Sequence, residues 1–499
     1  MWMEILNGLV SVASDPYAIA LSAVGVLLGI VLGALPGISS TMSLAVLLPL
    51  SFAMDPNRAM MFLLGVFSAS VFGGSISAIL INIPGTPGAI VTQLDGYPMA
   101  KKGRAGEALT YAAFSSAFGG IVGWLLLVTI APLVAAAALH IQSPEYAAVT
   151  IFGLTMLAYA APGSTFKAII GGILGLLLAT VGRDAITDVS RFDFGNFSLQ
   201  GGLSIVPVAV GIFGMAEVLR NIEGGAPPLT VITKIKRIMP PFSELRRLWP
   251  MALRGSLIGA LVGAIPAAGS AIGVAVAYAQ EKRMSKHPER YGTGIPEGIV
   301  APEASNNACV GGALIPMMTL GIPGDSMTAV MIGALLIHGL RPGPALFEKN
   351  VEFVAAVYVA LLLAIVFTTI FALAGARLFA RILHAPKNLL ITAISVFCVI
   401  GSYAVRNSTF DVLVMIGSGV VGYLMYQVRM PVAPVVFGLV LGPLLEDNIR
   451  RTLIVHGSWT VFYERPISLV LLLLSVAALT YPFIRDRLRR REKGGGRVS

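Results

Sequence analysis

The chain has 499 residues, of which 56% are hydrophobic and 12% charged, and its mean hydropathy is +0.83. No soluble globular chain of this length carries that balance, so the composition reads as a polytopic membrane protein. The net charge of +10 sits in short loops and the C-terminal tail rather than on one amphipathic face, which fits a positive-inside topology and argues against nucleic acid as a partner.

Taken in chain order, the N-terminal MWMEILNGLV has no basic n-region, so no removable signal peptide is expected. The first break is GALPGISSTMSLAV, Gly33 to Val46, where Pro36 removes an amide donor and Ser39, Ser40 and Thr41 follow. These hydroxyls either hold a ligand or cap a helix start. A second break follows in GGSISAILINIPGTP from Gly73, with Asn82, Pro84, Gly85 and Thr86 at the interruption. Lys101, Lys102 and Arg104 mark a cytoplasmic loop. Four apolar spans then fit, at about 108–136, 145–161, 166–181 and 203–220, leaving the mixed-charge loop Arg183 to Gly202 outside.

Beyond the basic segment Lys234 to Arg247, GAIPAAGSAIGVAV from Gly263 to Val276 repeats the first break, with Pro266 and Ser270 at its tip. Its arms, about 15 residues each against the ~20 of a full span, suggest a re-entrant hairpin. After Lys282 to Arg290 comes the polar run Pro302, Glu303, Ala304, Ser305, Asn306 and Asn307. Its amides and hydroxyls suit Na⁺ or a carboxylate, and Glu303 is able to titrate. GGALIPMMTLGIPGDS from Gly311 repeats the second break, with Pro323, Gly324, Asp325 and Ser326. Asp325 either lies in the site or caps the next helix. The first pair of breaks is offset by 230 residues and the second by 239, so the chain reads as two related halves.

The expected fold is an all-α polytopic membrane protein. Residues 1–220 form the first half, 221–249 a cytoplasmic basic connector, 250–484 the second half with additional helices, and 485–499 a basic cytoplasmic tail without fixed structure. The less basic connection Asp55 to Arg58 favours inverted halves, and the spans counted in the second half are odd in number. Free backbone groups at the breaks survive in lipid only where protein, water or a ligand satisfies them, which points to a binding site between the halves. Downstream helix N-termini would favour carboxylates and upstream carbonyls Na⁺; the coupling ion is Na⁺ or, through Glu303, H⁺. No cofactor is expected. The five histidines (140, 287, 338, 384 and 456) lack metal-ligand spacing, and neither HExxH nor GxSxG occurs. An intramembrane hydrolase would need an aspartate partner for Asp325, and Asp411 fits that poorly.

At these same residues the chain resembles the large membrane subunit of the tripartite tricarboxylate transporter family, the TctA-like permeases. The matching stretches are Ile79 to Leu109, RFDFG from Arg191 to Gly195, and Pro296 to Pro344. Ser39-Ser40 and Pro266-Ala267 depart from the expected Gly/Pro-like pattern. The resemblance implies a secondary, ion-gradient-driven importer of carboxylates, citrate among them, in a bacterial inner membrane. It also implies a small TctB-like membrane subunit and a periplasmic TctC-like solute-binding protein as partners, beside membrane lipids. An exchanger or channel-like pore for inorganic ions is the alternative.

Overall fold

Two Asp-Pro pairs open the first long helices, because an Asx side chain satisfies free amides and proline at the first helical position gives up an amide that has no partner there. The computed structural model describes residues 10, 14–160, 164–223, 232, 235, 239–383 and 387–494. Asp15 accepts from the Tyr17 amide at 2.9 Å and caps α1 (Pro16–Ala34). Ser39 caps the short α2 (Ser40–Leu47), its Oγ accepting from the Met42 amide at 3.1 Å. Asp55 caps α3 (Pro56–Ile81). There follow α4 (Thr92–Met99), α5 (Ala105–Ala138), α6 (Ser143–Ala160), α7 (Thr165–Ala179) and α8 (Ile205–Glu223). Then come α9 (Phe242–Ala264), α10 (Gly269–Met284), α11 (Glu297–Leu320) and α12 (Ser326–Ile337). The chain closes with α13 (Val351–Ile382), α14 (Lys387–Arg406), α15 (Thr409–Gln427), α16 (Ala433–His456) and α17 (Pro466–Gly494).

Among the described residues, seven helical stretches are long and apolar enough to cross a membrane. They are α1, α3, Thr92–Ala138, α8, Val351–Gly375, Asn388–Arg406 and α15. This is the all-α multi-pass architecture expected from composition. Thr165–Ala179 and Pro466–Tyr481 are apolar but shorter. The hairpin arm before Pro266 is longer than anticipated: α9 begins at Phe242, inside the basic segment, and has 23 residues. Lys234 and most of the connector lie outside the described residues, as do residues 495–499. The tail expected without fixed structure is helical as far as Gly494, consistent with its Arg and Lys, which favour helix.

The helices gather into two compact units. The first holds the described residues up to Ala138 together with those of Val206–Tyr423; the second holds those of Leu139–Ile205 and from Leu424 onward. In the first unit α3 and α11 are the buried centre. α3 packs on α1 and α13, and α11 on α9, α5 and α10. In the second unit α16 packs on α6 and α7. There β1 (Gly182–Arg183) pairs antiparallel with β2 (Ser190–Arg191). This ribbon is held by Asp184, which accepts from the amides of Ile186 (2.9 Å) and Thr187 (2.7 Å) and pairs with Arg450. Arg191 pairs with Glu446 at 2.6 Å.

Candidate functional site

The site is built on two glycine seams. Gly25, Gly29 and Gly33 of α1 lie against the backbone of Phe62, Val66 and Ser70 in α3, and Gly255, Gly259 and Gly263 of α9 lie against Ala301, Ser305 and Cys309 in α11. Glycines four residues apart make one continuous strip on a helix and let backbones approach closely. The seam glycines repeat at an offset of 230 and their partners at 239, the offsets of the two pairs of breaks. Each copy therefore repeats not only sequence but contacts.

The breaks repeat in the same register. α1 ends at Leu35, whose amide donates to the Leu32 carbonyl at 3.2 Å, and α9 ends at Ile265, whose amide donates to Val262 at 3.1 Å. α3 ends on Asn82 at φ 59°, and α11 on Gly321 at φ 70°, both in the left-handed conformation that closes helices. Beyond them Gly85 sits on Gly74 and Gly324 on Ala313. Each loop meets the other half: residues Pro87–Ala89 pack on α10, and α12 packs on α2.

At the first of these crossings, a methyl group on Gly88 would overlap the Asn306 side chain and come within 2.8 Å of Ser270 Oγ. Asn306, Ser270 and the backbone of Gly88 therefore converge. Among the described residues, neither Asn306 amide atom, nor Thr86 Oγ1 or Ser305 Oγ, finds a hydrogen-bond partner, although all four atoms are buried, and Ser40 Oγ at the second crossing is likewise buried without one. An unpaired buried polar group costs ~1–3 kcal/mol, so a cluster of them is a candidate for a ligand that supplies partners.

One face further round α11 lies a carboxylate. Glu303 is fully buried, and its Oε1 accepts from Ser75 Oγ of α3 at 2.6 Å and from Thr92 Oγ1 of α4. Its Oε2 accepts from Ser116 Oγ of α5 at 3.1 Å. Asn307, one turn on, donates Nδ2 to Ser116 Oγ at 2.8 Å and to the Glu303 carbonyl at 3.1 Å. Burying a charge at a membrane helix centre costs ~2.5–3.5 kcal/mol on insertion scales, and hydrogen bonds to a charged group return ~1.5–3 kcal/mol each. Asp95 fixes α4 in this arrangement. It accepts from the amides of Gly292 (2.9 Å to Oδ2), Gly294 (2.8 Å) and Ile295 (3.1 Å), and from Tyr278 Oη at 3.0 Å.

The residues singled out from sequence fall into groups. Ser270, Ser305, Asn306, Pro84, Gly85 and Thr86 belong to the loop crossing, and Asn307 to the shell of Glu303. Ser39, Ser40 and Thr41 start α2, with Ser39 as its cap, and Asp325 and Ser326 start the α12 that packs on it. Asp325 Oδ1 accepts from the Thr328 amide and hydroxyl, both at 2.8 Å, so the capping alternative holds for this side chain. Asn82 is exposed at a helix end. Pro36 borders a cavity of about 20 Å³, room for about one water. Pro266, Pro323 and Gly324 are buried at the breaks. The sequence does not single out Ser75, Thr92, Ser116 or Asp95, and marks Glu303 only as a titratable group. Single hydroxyls in apolar helices carry no spacing signal, whereas the seams' glycine period was open to reading.

The sequence profile of the tripartite tricarboxylate transporter TctA family matches residues 19–437. The chain is 37% identical over 482 residues, 96% of both chains, to an uncharacterised 52.8 kDa protein in the TAR-I ttuC' 3' region of Agrobacterium vitis. It is 36% identical over 214 residues to an uncharacterised protein in the TAR-II ttuC' 3' region of the same organism, covering 42% of this chain and 88% of that one. No solved structure matches it significantly.

Proposed function

The chain belongs to the tripartite tricarboxylate transporter TctA family, and from that membership we propose that it is the large permease of a secondary, ion-gradient-driven importer of tricarboxylates or related carboxylates across a bacterial inner membrane. A small membrane subunit and a periplasmic solute-binding protein complete the system, the binding protein delivering the substrate. The observation that carries this reading is the loop crossing. Asn306 and Ser270 meet Gly88, and both amide atoms of Asn306 are buried and unpaired. Amide and hydroxyl donors without a fixed negative charge suit a carboxylate, and the start of α10 adds a favourable dipole. Asp325, Ser326, Ser39, Ser40 and Thr41 form the matching crossing. The coupling ion is Na⁺ or H⁺, the halves are inverted, and the C-terminus is cytoplasmic.

The test is uptake of labelled citrate into proteoliposomes holding this chain and its small membrane partner. It is run with and without the binding protein, under an imposed Na⁺ or proton gradient. Saturable uptake that needs both gradient and binding protein is expected. Non-saturable flux of inorganic ions would favour the channel-like alternative, and product formation in detergent without a gradient would favour a hydrolase. Asparagine caps a helix as well as aspartate, so Asp325→Asn isolates the charge. Uptake is expected to fall further than membrane abundance.

A further inference from the structure

We propose that Glu303 is the proton-carrying group of this permease, loading H⁺ at its carboxylate as the coupling ion. The inference rests on the transporter reading above and selects one of its two ions. On loading, one O–H bond forms at a carboxylate oxygen, the side chain becomes neutral, and no other bond changes; on unloading the same proton leaves.

Three observations carry it. Glu303 is fully buried, and its hydrogen-bond partners are three hydroxyls from three different helices. No cation pairs with it among the described residues. The ion pairs of the helices packed around it lie elsewhere. On α3, Arg58 pairs with Asp15; on α4, Asp95 is held by loop amides. On α5, Glu107 pairs with Arg104. On α9, Arg254 pairs with Glu281 of α10, and Arg247 with Glu297 at the start of α11. The other titratable groups nearby are Tyr111 of α5, Tyr278 of α10, which donates to Asp95, and Cys309 of α11. Neutralising Glu303 therefore falls to a mobile cation.

The second observation is the direction of the hydrogens. Asn307 has only donors on Nδ2, so Ser116 Oγ accepts from it and turns its own proton to Glu303 Oε2. Ser75 Oγ stands 2.6 Å from Oε1. Oxygens that coordinate Na⁺ must turn lone pairs toward it and stand apart around it, whereas a proton on Glu303 needs only that one hydroxyl, Ser75 or Thr92, rotate from donor to acceptor. The third is that the group is not duplicated. At the equivalent register of the first copy α3 carries Leu64, and Phe67 where α11 has Asn306.

The test is infrared difference spectroscopy of the purified chain with its small membrane subunit, titrated with alkali in the presence and absence of Na⁺. The expected result is a carbonyl band of a protonated carboxyl that disappears on titration, is missing from Glu303→Gln and is unmoved by Na⁺. Ser116→Ala, which keeps the carboxyl, is expected to move the midpoint, and it carries the test if Glu303→Gln does not assemble. A wild-type spectrum without that band, or one in which Na⁺ removes it, overturns the proposal. In proteoliposomes without Na⁺, an inward proton gradient is expected to accelerate labelled citrate uptake, and Glu303→Gln to lose that acceleration. A wild type that takes up no citrate counts against the transporter reading for citrate, while the infrared result still decides Glu303.

Discussion

Ala267 holds φ +64° at the place where the first copy has Gly37 at φ +85°. A left-handed backbone costs an L-residue ~1–2 kcal/mol, because Cβ crowds the following carbonyl. The second break therefore carries strain that the first avoids. Ala267→Gly is expected to stabilise the protein by about 1 kcal/mol, read as a higher melting temperature of the purified chain, and an unchanged or lower one would mean that the turn is not strained. At this scale the sequence was partly legible. The Pro266-Ala267 departure was visible, but not that alanine keeps the glycine conformation. Asn82 read as a ligand, yet its position on α3 is the one Gly321 holds on α11, which is a helix-ending position. Glu303 and Asn307 lie one turn apart on a polar helix, and the hydroxyls that meet Glu303 come from three helices distant in sequence.

The helices themselves were well marked, because long apolar runs with few breaks admit little else. The span expected at 108–136 falls inside α5, and that at 203–220 overlaps α8 from Ile205 onward. What hydropathy could not supply was which faces meet. The seams decide that through close approach: a Cβ on Gly29 would stand 2.7 Å from the Val66 carbonyl oxygen, and one on Gly259 would overlap Ser305. Gly29→Ala and Gly259→Ala are each expected to cost ~1–3 kcal/mol from overpacking. Gly172→Ala in α7, where nothing lies within 4 Å, is expected to gain up to ~1 kcal/mol from helix propensity. Melting temperatures of the three variants check the contrast. The ribbon of β1 and β2 depends on charge instead. The Thr187 amide, with that of Ile186 and then Arg450, holds the Asp184 carboxyl well below the usual carboxylate range, against the opposing effect of burial. A lowered folded value means that the stabilisation is complete above the unfolded value of ~3.9 and is lost as pH falls below it. Hydrogen exchange in residues 182–191 is accordingly expected to stay slow from neutral pH to about 4 and, after correction for intrinsic rates, to accelerate only in stronger acid.

For the molecule as a whole, the duplication was legible as two offsets, and the same offsets govern seams, helix ends and loop contacts. The unequal chemistry of the copies was not, since a repeat is detected by what it preserves. α3 gives Ser75 where α11 has Leu314, and α11 gives Glu303 where α3 has Leu64. One copy brings the acid and the other brings hydroxyls, so neither half alone assembles the carboxylate shell. The seams also set a mechanical limit. Two rods in contact through bare backbone cannot slide past each other by a fraction of a turn without driving carbonyl oxygens into the opposing chain. α1 with α3, and α9 with α11, must then travel as two stiff levers. The chain bends instead where each rod stops, at Pro36, Asn82, Pro266 and Gly321.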